Sequence, residues 1–247
     1  TPKDIAKGVI WIEKAAEQNV GRAMILQGIL ITRGLCKTKM VDKLTHVIKN
    51  MAEKGDDFAQ YSLALLSLSG EIVPPNAKEA LRWIQTAARS KNVYAMDYLG
   101  LMYYKKIGIS TLEPVIDHFL AAAKLGHGNA LFHASLLYWD GVRGPQIPSL
   151  ALEYLEQAAE LGQRDAEYLL GNFYLNGVAV HKDLETAIIY LTRAAEQGQI
   201  NAQYLLGNLY LQDEVVPQDR NKAIKLLRKA ADQGDMEAKN SLTKLLS

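Results

Sequence analysis

The sequence predicts an all-α solenoid of antiparallel helix pairs, and three observations predict it. The first is a recurring residue pair, alanine at all but one position: Ala15-Ala16, Met51-Ala52, Ala87-Ala88, Ala122-Ala123, Ala158-Ala159, Ala194-Ala195 and Ala230-Ala231. Their spacings are 36, 36, 35, 36, 36 and 36 residues, and a period in this range marks stacked supersecondary units. The second is an opening alanine after each turn (Ala23, Ala59, Ala95, Ala130, Ala166, Ala202, Ala238). Five residues further on comes a small one (Gly28, Ala64, Gly100, Ser135, Gly171, Gly207, with Thr243 the weakest match). The third is punctuation. Gly34, Gly70, Gly141 and Gly177 stand where first helices should end, and Gly55, Gly126, Gly162, Gly198 and Gly234 where second helices should end. Asp183 and Asp219, with Asp4 and Asn76 in register, stand where a cap should open a second helix.

In chain order, residues 1–17 read as the second helix of a partial repeat, since Asp4, Gly8, Trp11 and Ala15-Ala16 align with later second helices and no first helix precedes them. Repeats follow from near 22, 58, 94, 129, 165 and 201, about six units in one solenoid over residues 1–247. An aromatic stands eight positions after four of the opening alanines, at Tyr103, Tyr138, Tyr174 and Tyr210. Trp11, Trp83, His118, Tyr154 and Tyr190 form a bulky column on the second helices. The unit from Ala23 has Ile31 in place of the tyrosine, and the unit from Ala95 has Lys106 where a glycine is expected. Residues 237–247 read as a short capping helix with Lys239, Asn240 and Lys244 toward solvent. A single repeat cannot bury its own apolar face, so stacking must supply the stability. The bare N-terminal end is accordingly a possible surface for association with a second copy.

Composition excludes several function classes. Of 247 residues 49% are hydrophobic, enough for a large core, and 28 basic side chains face 27 acidic ones, so no basic excess exists to neutralise nucleic acid. No apolar run reaches membrane-spanning length, and the first residues carry no signal-like segment. The single cysteine, Cys36, allows no intramolecular disulfide; Lys37 and Lys39 beside it would favour a thiolate, but no base can be assigned, so an ordinary thiol is expected. The five histidines (His46, His118, His127, His133, His181) show no metal-ligand spacing. His127 and His181 read as solvated turn residues and His118 as half-buried packing. Glu13, Glu156, Glu160 and Glu196 fall on the polar faces of second helices. The glycines are single and periodic, unlike a phosphate-cradling loop, and no nucleophile motif occurs. No cofactor, metal or catalytic residue is therefore nominated.

The stretch Ala202-Gln-Tyr-Leu-Leu-Gly-Asn-Leu-Tyr210, followed by Asp219, Lys222-Ala223 and Lys229-Ala-Ala-Asp-Gln-Gly234, resembles the Sel-one-like repeat (SLR), a relative of the tetratricopeptide repeat; residues 166–198 match equally well. The resemblance implies a right-handed solenoid whose first helices line a concave groove. Transferred from the tetratricopeptide solenoid, it places Phe58, Tyr61, Leu65, Tyr94, Leu101, Tyr104, Phe132, Leu136, Trp139, Tyr168, Asn172 and Asn208 as partner-binding residues, with Tyr104 and Trp139 foremost. The groove should grade from apolar and aromatic over 58–139 to amide-lined beyond 165. Packing is the competing role for the tyrosines and for the leucines.

For function the resemblance implies a non-catalytic scaffold or adaptor that binds a peptide segment or helix of another protein in the groove. Among bacterial members it implies envelope-associated or secretion-related work. A bacterial source is also favoured by the lack of any Asn-x-Ser/Thr sequon. Expected locations are the bacterial periplasm or envelope, with the cytoplasm as alternative. A carbohydrate module for peptidoglycan or exported polysaccharide is the alternative function. A third reading, the β-lactam hydrolysis or binding proposed for some relatives, belongs to disulfide-rich chains with paired cysteines in each unit and does not carry over to this chain, which has one cysteine.

Overall fold

The structure is a computed structural model that describes residues 2–18, 20–37, 40–71, 73–105, 115–141, 146–212 and 218–246. Lys39 and Lys106 lie outside the described residues. Fourteen α-helices are found among them, with helices as the sole regular element, so the fold is all-α. The chain divides into two compact units, residues 1–130 and 131–247. Unit 1 holds α1 (Pro2–Glu17), α2 (Gly21–Thr32), α3 (Val41–Glu53), α4 (Asp57–Ser69), α5 (Ala77–Arg89), α6 (Val93–Lys105) and α7 (Val115–Ala123). α8 (Gly128–Asp140) begins at its end and continues into unit 2, which holds α9 (Pro148–Glu160), α10 (Arg164–Asn176), α11 (Leu184–Glu196), α12 (Ile200–Leu209), α13 (Arg220–Asp232) and α14 (Met236–Leu246). Even-numbered helices are the first helices of the repeats and odd-numbered ones the second.

The first helices are opened by one column of residues, three before each opening alanine. The Ala59 amide donates to Asp56 at 2.8 Å, Ala95 to Asn92 at 2.9 Å and Ala238 to Asp235 at 2.7 Å. Gln163 and Gln199 cap Ala166 and Ala202 in the same way. Each cap satisfies an amide that the helix itself cannot pair. On the second helices Asn76, Asp183 and Asp219 accept from the first-turn amides, as expected. Asp4 departs from that register: α1 already begins at Pro2, which places Asp4 inside the first turn. At the far ends Gly70 and Gly177 adopt left-handed φ values of 69° and 71°, a conformation glycine enters without a Cβ penalty.

Packing follows the same period. In unit 2, Leu155, Leu191 and Leu227 are each at most 2% exposed, and each such burial stabilises by about 1.5–3 kcal/mol. Ile48, Ile84 and Phe119 hold the corresponding column in unit 1. The small residues of the first helices face these knobs. A Cβ on Gly171 would lie 2.7 Å from Leu191 Cγ, one on Gly207 3.0 Å from Leu227 Cγ, and one on Gly100 2.7 Å from Phe119 Cε1. The periodic tyrosines stack on the bulky column of the second helices: Tyr103 on His118 at 4.9 Å between ring centroids, Tyr138 on Tyr154 at 5.8 Å, Tyr174 on Tyr190 at 6.0 Å.

At three of the joints a buried polar side chain takes part. Gln60 and Gln203, one residue after their opening alanines and both buried, donate to the carbonyls of Ala52 and Ala195 at 3.0 Å. Gln203 also accepts from Gln233 at 2.9 Å. Glu167 holds the same position in its repeat, where it accepts from Gln197. Burial raises its carboxyl pKa above the usual range, outweighing Arg193 and the Gln197 bond, which lower it. A raised carboxylate pKa means that the folded state is penalised once pH rises through it. Glu167→Gln, which supplies the donor that Gln203 uses, is therefore expected to raise stability at pH 7 by about 1 kcal/mol. The gain should shrink as pH falls into the ordinary glutamate range near about 4.3. Urea denaturation of both proteins at several pH values checks this; a gain independent of pH would refute the assigned cause.

Candidate binding face on the first helices

In unit 1 the first helices carry a continuous set of aromatic rings. Phe58 at the start of α4 lies 6.0 Å from Tyr94 at the start of α6, and Tyr61 lies 6.2 Å from both Tyr94 and Tyr98. Tyr94 also meets the His127 imidazole edge-on at 5.1 Å. Phe58 and Tyr94 reach solvent, 36% and 45% exposed. Phe58 further borders a depression of about 110 Å³ with Arg22, Ile25 and Leu26.

Two of the expected contact residues are buried. Tyr61 and Leu65 are each 7% exposed, so they support the face from beneath and offer it little area. Desolvation pushes the Tyr61 phenol up to about 12 even though the Arg33 guanidinium, which bonds it, lowers it. Leu101 and Tyr104 are half-buried on α6. His127 likewise departs from the solvated role expected of a turn residue. It is half-buried, with Nε2 3.6 Å from the Asp97 carboxylate, which is itself buried. Sequence reasoning missed Tyr98, Asp97 and His127 in this cluster. The usable signal was positional: His127 stands in the capping column, where its neighbours are Asn92 and Gln163.

In unit 2, Trp139 is half-buried and its ring packs on Phe173 at 4.8 Å. Phe132, Leu136, Tyr168, Asn172 and Asn208 are also half-buried. Tyr168 leans on the cluster of Leu191, Ala194, Ala202 and Leu206, which is the packing role. Asn172 accepts from Asn176 Nδ2 at 2.6 Å, forming an exposed amide pair on α10. Asp165 accepts from the Gln163 and Gln199 amides at 3.3 and 3.5 Å. The unit 2 face thus joins one aromatic platform to amides and a carboxylate.

Among the described residues no three His, Cys, Asp or Glu side chains converge to hold a metal ion. Cys36 is half-buried, and burial, followed by Glu13, pushes its thiol up, so the ordinary thiol is its form near neutral pH. His118 is engaged in its stack with Tyr103, and His181 is exposed.

A family model described as the Sel1 repeat matches residues 1–20, 57–92, 128–163, 164–199 and 200–235. The chain belongs to the Sel1 repeat family. Sel1 repeats form helical solenoids that generally mediate protein–protein interaction and are generally non-catalytic. A Sel1 repeat protein from Oxalobacter formigenes is similar over 95% of this chain and 68% of its own, at 28% identity and a TM-score of 0.80. A protective antigen of uropathogenic Escherichia coli with an SLR fold is 28% identical over 96% of this chain, at a TM-score of 0.65. This chain spans 51% of that antigen's length. An immunity protein from Pseudomonas aeruginosa shares the fold at 20% identity, 86% and 81% coverage and a TM-score of 0.59. No match is found among curated protein sequences. Among the described residues no helix is long and apolar enough to cross a membrane.

Proposed function

We propose that this Sel1 repeat protein is a scaffold whose first-helix face binds an extended or helical segment of another protein in a bacterial envelope-associated or secretion-related assembly. The observation that carries the reading is the solvent-reaching ring pair Phe58–Tyr94, held in place by Tyr61, Tyr98 and His127. Aromatic area that is already ordered binds at small entropic cost, and such residues dominate interface energies. In unit 2, Trp139 and the Asn172–Asn176 pair supply a second aromatic platform beside groups able to hydrogen-bond a backbone.

Affinity capture from lysate and solubilised membranes of the source bacterium tests the reading, with wild type, Phe58→Ala/Tyr94→Ala and Trp139→Ala side by side. A protein captured by wild type is expected to bind the double variant at least about thirtyfold more weakly, measured by titration with the purified partner. Trp139→Ala should weaken it as well. Equal capture by all three proteins would refute the assigned face. Retention on peptidoglycan or exported polysaccharide, with no protein captured, would replace the scaffold by a carbohydrate module.

A further inference from the structure

The second-helix face of unit 2 changes charge along its length. α9 carries Glu153, Glu156 and Glu160 and no basic side chain. α11 carries Glu185 and Glu196 against Arg193, and α13 carries five basic side chains against Asp232. Repeat packing does not demand this reversal. One period before Lys222, Lys225 and Lys229 the chain has Thr186, Ile189 and Arg193.

The helices concerned adjoin one another. Glu156 and Glu160 both act on the Tyr190 phenol of α11, so the acidic stripe borders that helix. Lys222, Lys225 and Lys229 border an open depression of about 330 Å³ that is shared with Thr192 and Glu196 of α11 and backed by Leu206 and Tyr210. Lys222 is engaged by Asp219 at 3.6 Å and lies over the Tyr210 ring at 5.2 Å. Among the described residues Lys225, Lys229, Glu156 and Glu160 form no ion pair. Between the acidic and basic ends, on α11, Ile189 stands 47% exposed.

A strip that runs from acidic α9, through α11 where Ile189 stands exposed between Glu185 and Arg193, to basic α13 is complementary to itself when turned by a two-fold axis. Rotation lays the glutamates of one copy over the lysines of the other and sets Ile189 against Ile189 at the axis. Translation without rotation would lay like charge on like. We propose that α9, α11 and α13 form a self-association surface through which two copies of this chain pair about a two-fold axis. The occupant follows from the charge order: one uniformly acidic segment would satisfy α13 and be repelled by α9.

Size sets the strength. Three 13-residue helices, each about 20 Å long and about 9 Å apart, present roughly 500–600 Å² per copy. That lies below the ~800 Å² per partner of standard interfaces, so the dimer is weak and salt-sensitive. The surface is separate from the first-helix face and does not depend on it.

The test is sedimentation equilibrium of the full 247-residue chain at about 200 μM, in low salt and in about 0.5 M NaCl. Mass doubling is expected in low salt and loss of the dimer in high salt. Lys225→Glu/Lys229→Glu and Glu153→Lys/Glu160→Lys, all at exposed positions, should each be monomeric with unchanged circular dichroism. Mixed in equal amounts they should dimerise again, since the swapped charges then match. Ile189→Asp should weaken wild-type association at least about tenfold. A monomeric wild type would overturn the proposal. So would a dimer that both charge variants retain, a mixture of natively folded variants that stays monomeric, or a dimer abolished by Phe58→Ala/Tyr94→Ala instead.

Discussion

Replacing Gly171 with valine is expected to destabilise unit 2 by about 3 kcal/mol, read as a lowered midpoint in urea. A Cβ there would lie 2.7 Å from Leu191 Cγ, 3.0 Å from its Cδ2 and 3.1 Å from its backbone nitrogen. A side-chain end can swing aside, but the third contact is main chain, so the two helices themselves must part. Valine also adds two methyl groups to that collision. Against it stands only the better helix propensity of a non-glycine residue, worth at most about 1 kcal/mol. Gly8 in α1 gives the control of opposite sign. Nothing lies within 4 Å of its would-be Cβ, so Gly8→Ala should stabilise by about 0.5–1 kcal/mol. If Gly171→Val matched wild type in its midpoint, the close approach of α10 and α11 would be wrong.

Phe119→Ala should be comparably severe in unit 1, costing about 3–5 kcal/mol. The ring is 1% exposed and rests on Gly100, with three ring carbons within 2.9 Å of where a Cβ would be. It is the one aromatic in a column otherwise made of Ile48, Ile84, Leu155, Leu191 and Leu227. Ring and glycine are therefore in direct contact, as Gly171 and Gly207 are with Leu191 and Leu227. Gly100→Ala alone should destabilise by about 1–3 kcal/mol, and Phe119→Leu alone by about 1 kcal/mol. Combined, they should cost less than the sum, because the smaller side chain vacates the space that the new methyl needs. Strict additivity in thermal denaturation would show that the two do not touch.

Most of the helical architecture was legible because stacking forces every repeat to solve one packing problem. The glycine that admits a neighbour, the knob that fills its place and the cap that opens the helix must each recur once per repeat. Less of the candidate face could be read. A position in a repeat column fixes the direction in which a side chain leaves its own helix. It says nothing of what the adjacent repeat lays across it. Tyr61 stands in a column expected to face the groove, yet Tyr94 and Tyr98 pack against its ring and it is 7% exposed. His127 looked like a turn residue until its Asp97 partner, thirty residues earlier in the chain, came within reach. Gln60 and Gln203 share a repeat position with Met24, Met96 and Leu131, so no period marks them, and the carbonyls that they serve are recognisable only once two helices are docked.

The three tryptophans occupy three different solvents, which equips the chain with its own optical reporters. Trp11 is 70% exposed, Trp83 is buried in unit 1, and Trp139 is half-buried against Phe173 in unit 2. Trp11 should emit near the fully hydrated limit and be quenched readily by iodide, while Trp83 emits at shorter wavelength and is shielded. With Trp11 replaced by phenylalanine, emission from single-tryptophan chains retaining Trp83 or Trp139 follows each unit's core separately. Whether those two signals fade together or in sequence during a urea titration measures how far cooperativity extends along a molecule assembled from nearest-neighbour contacts.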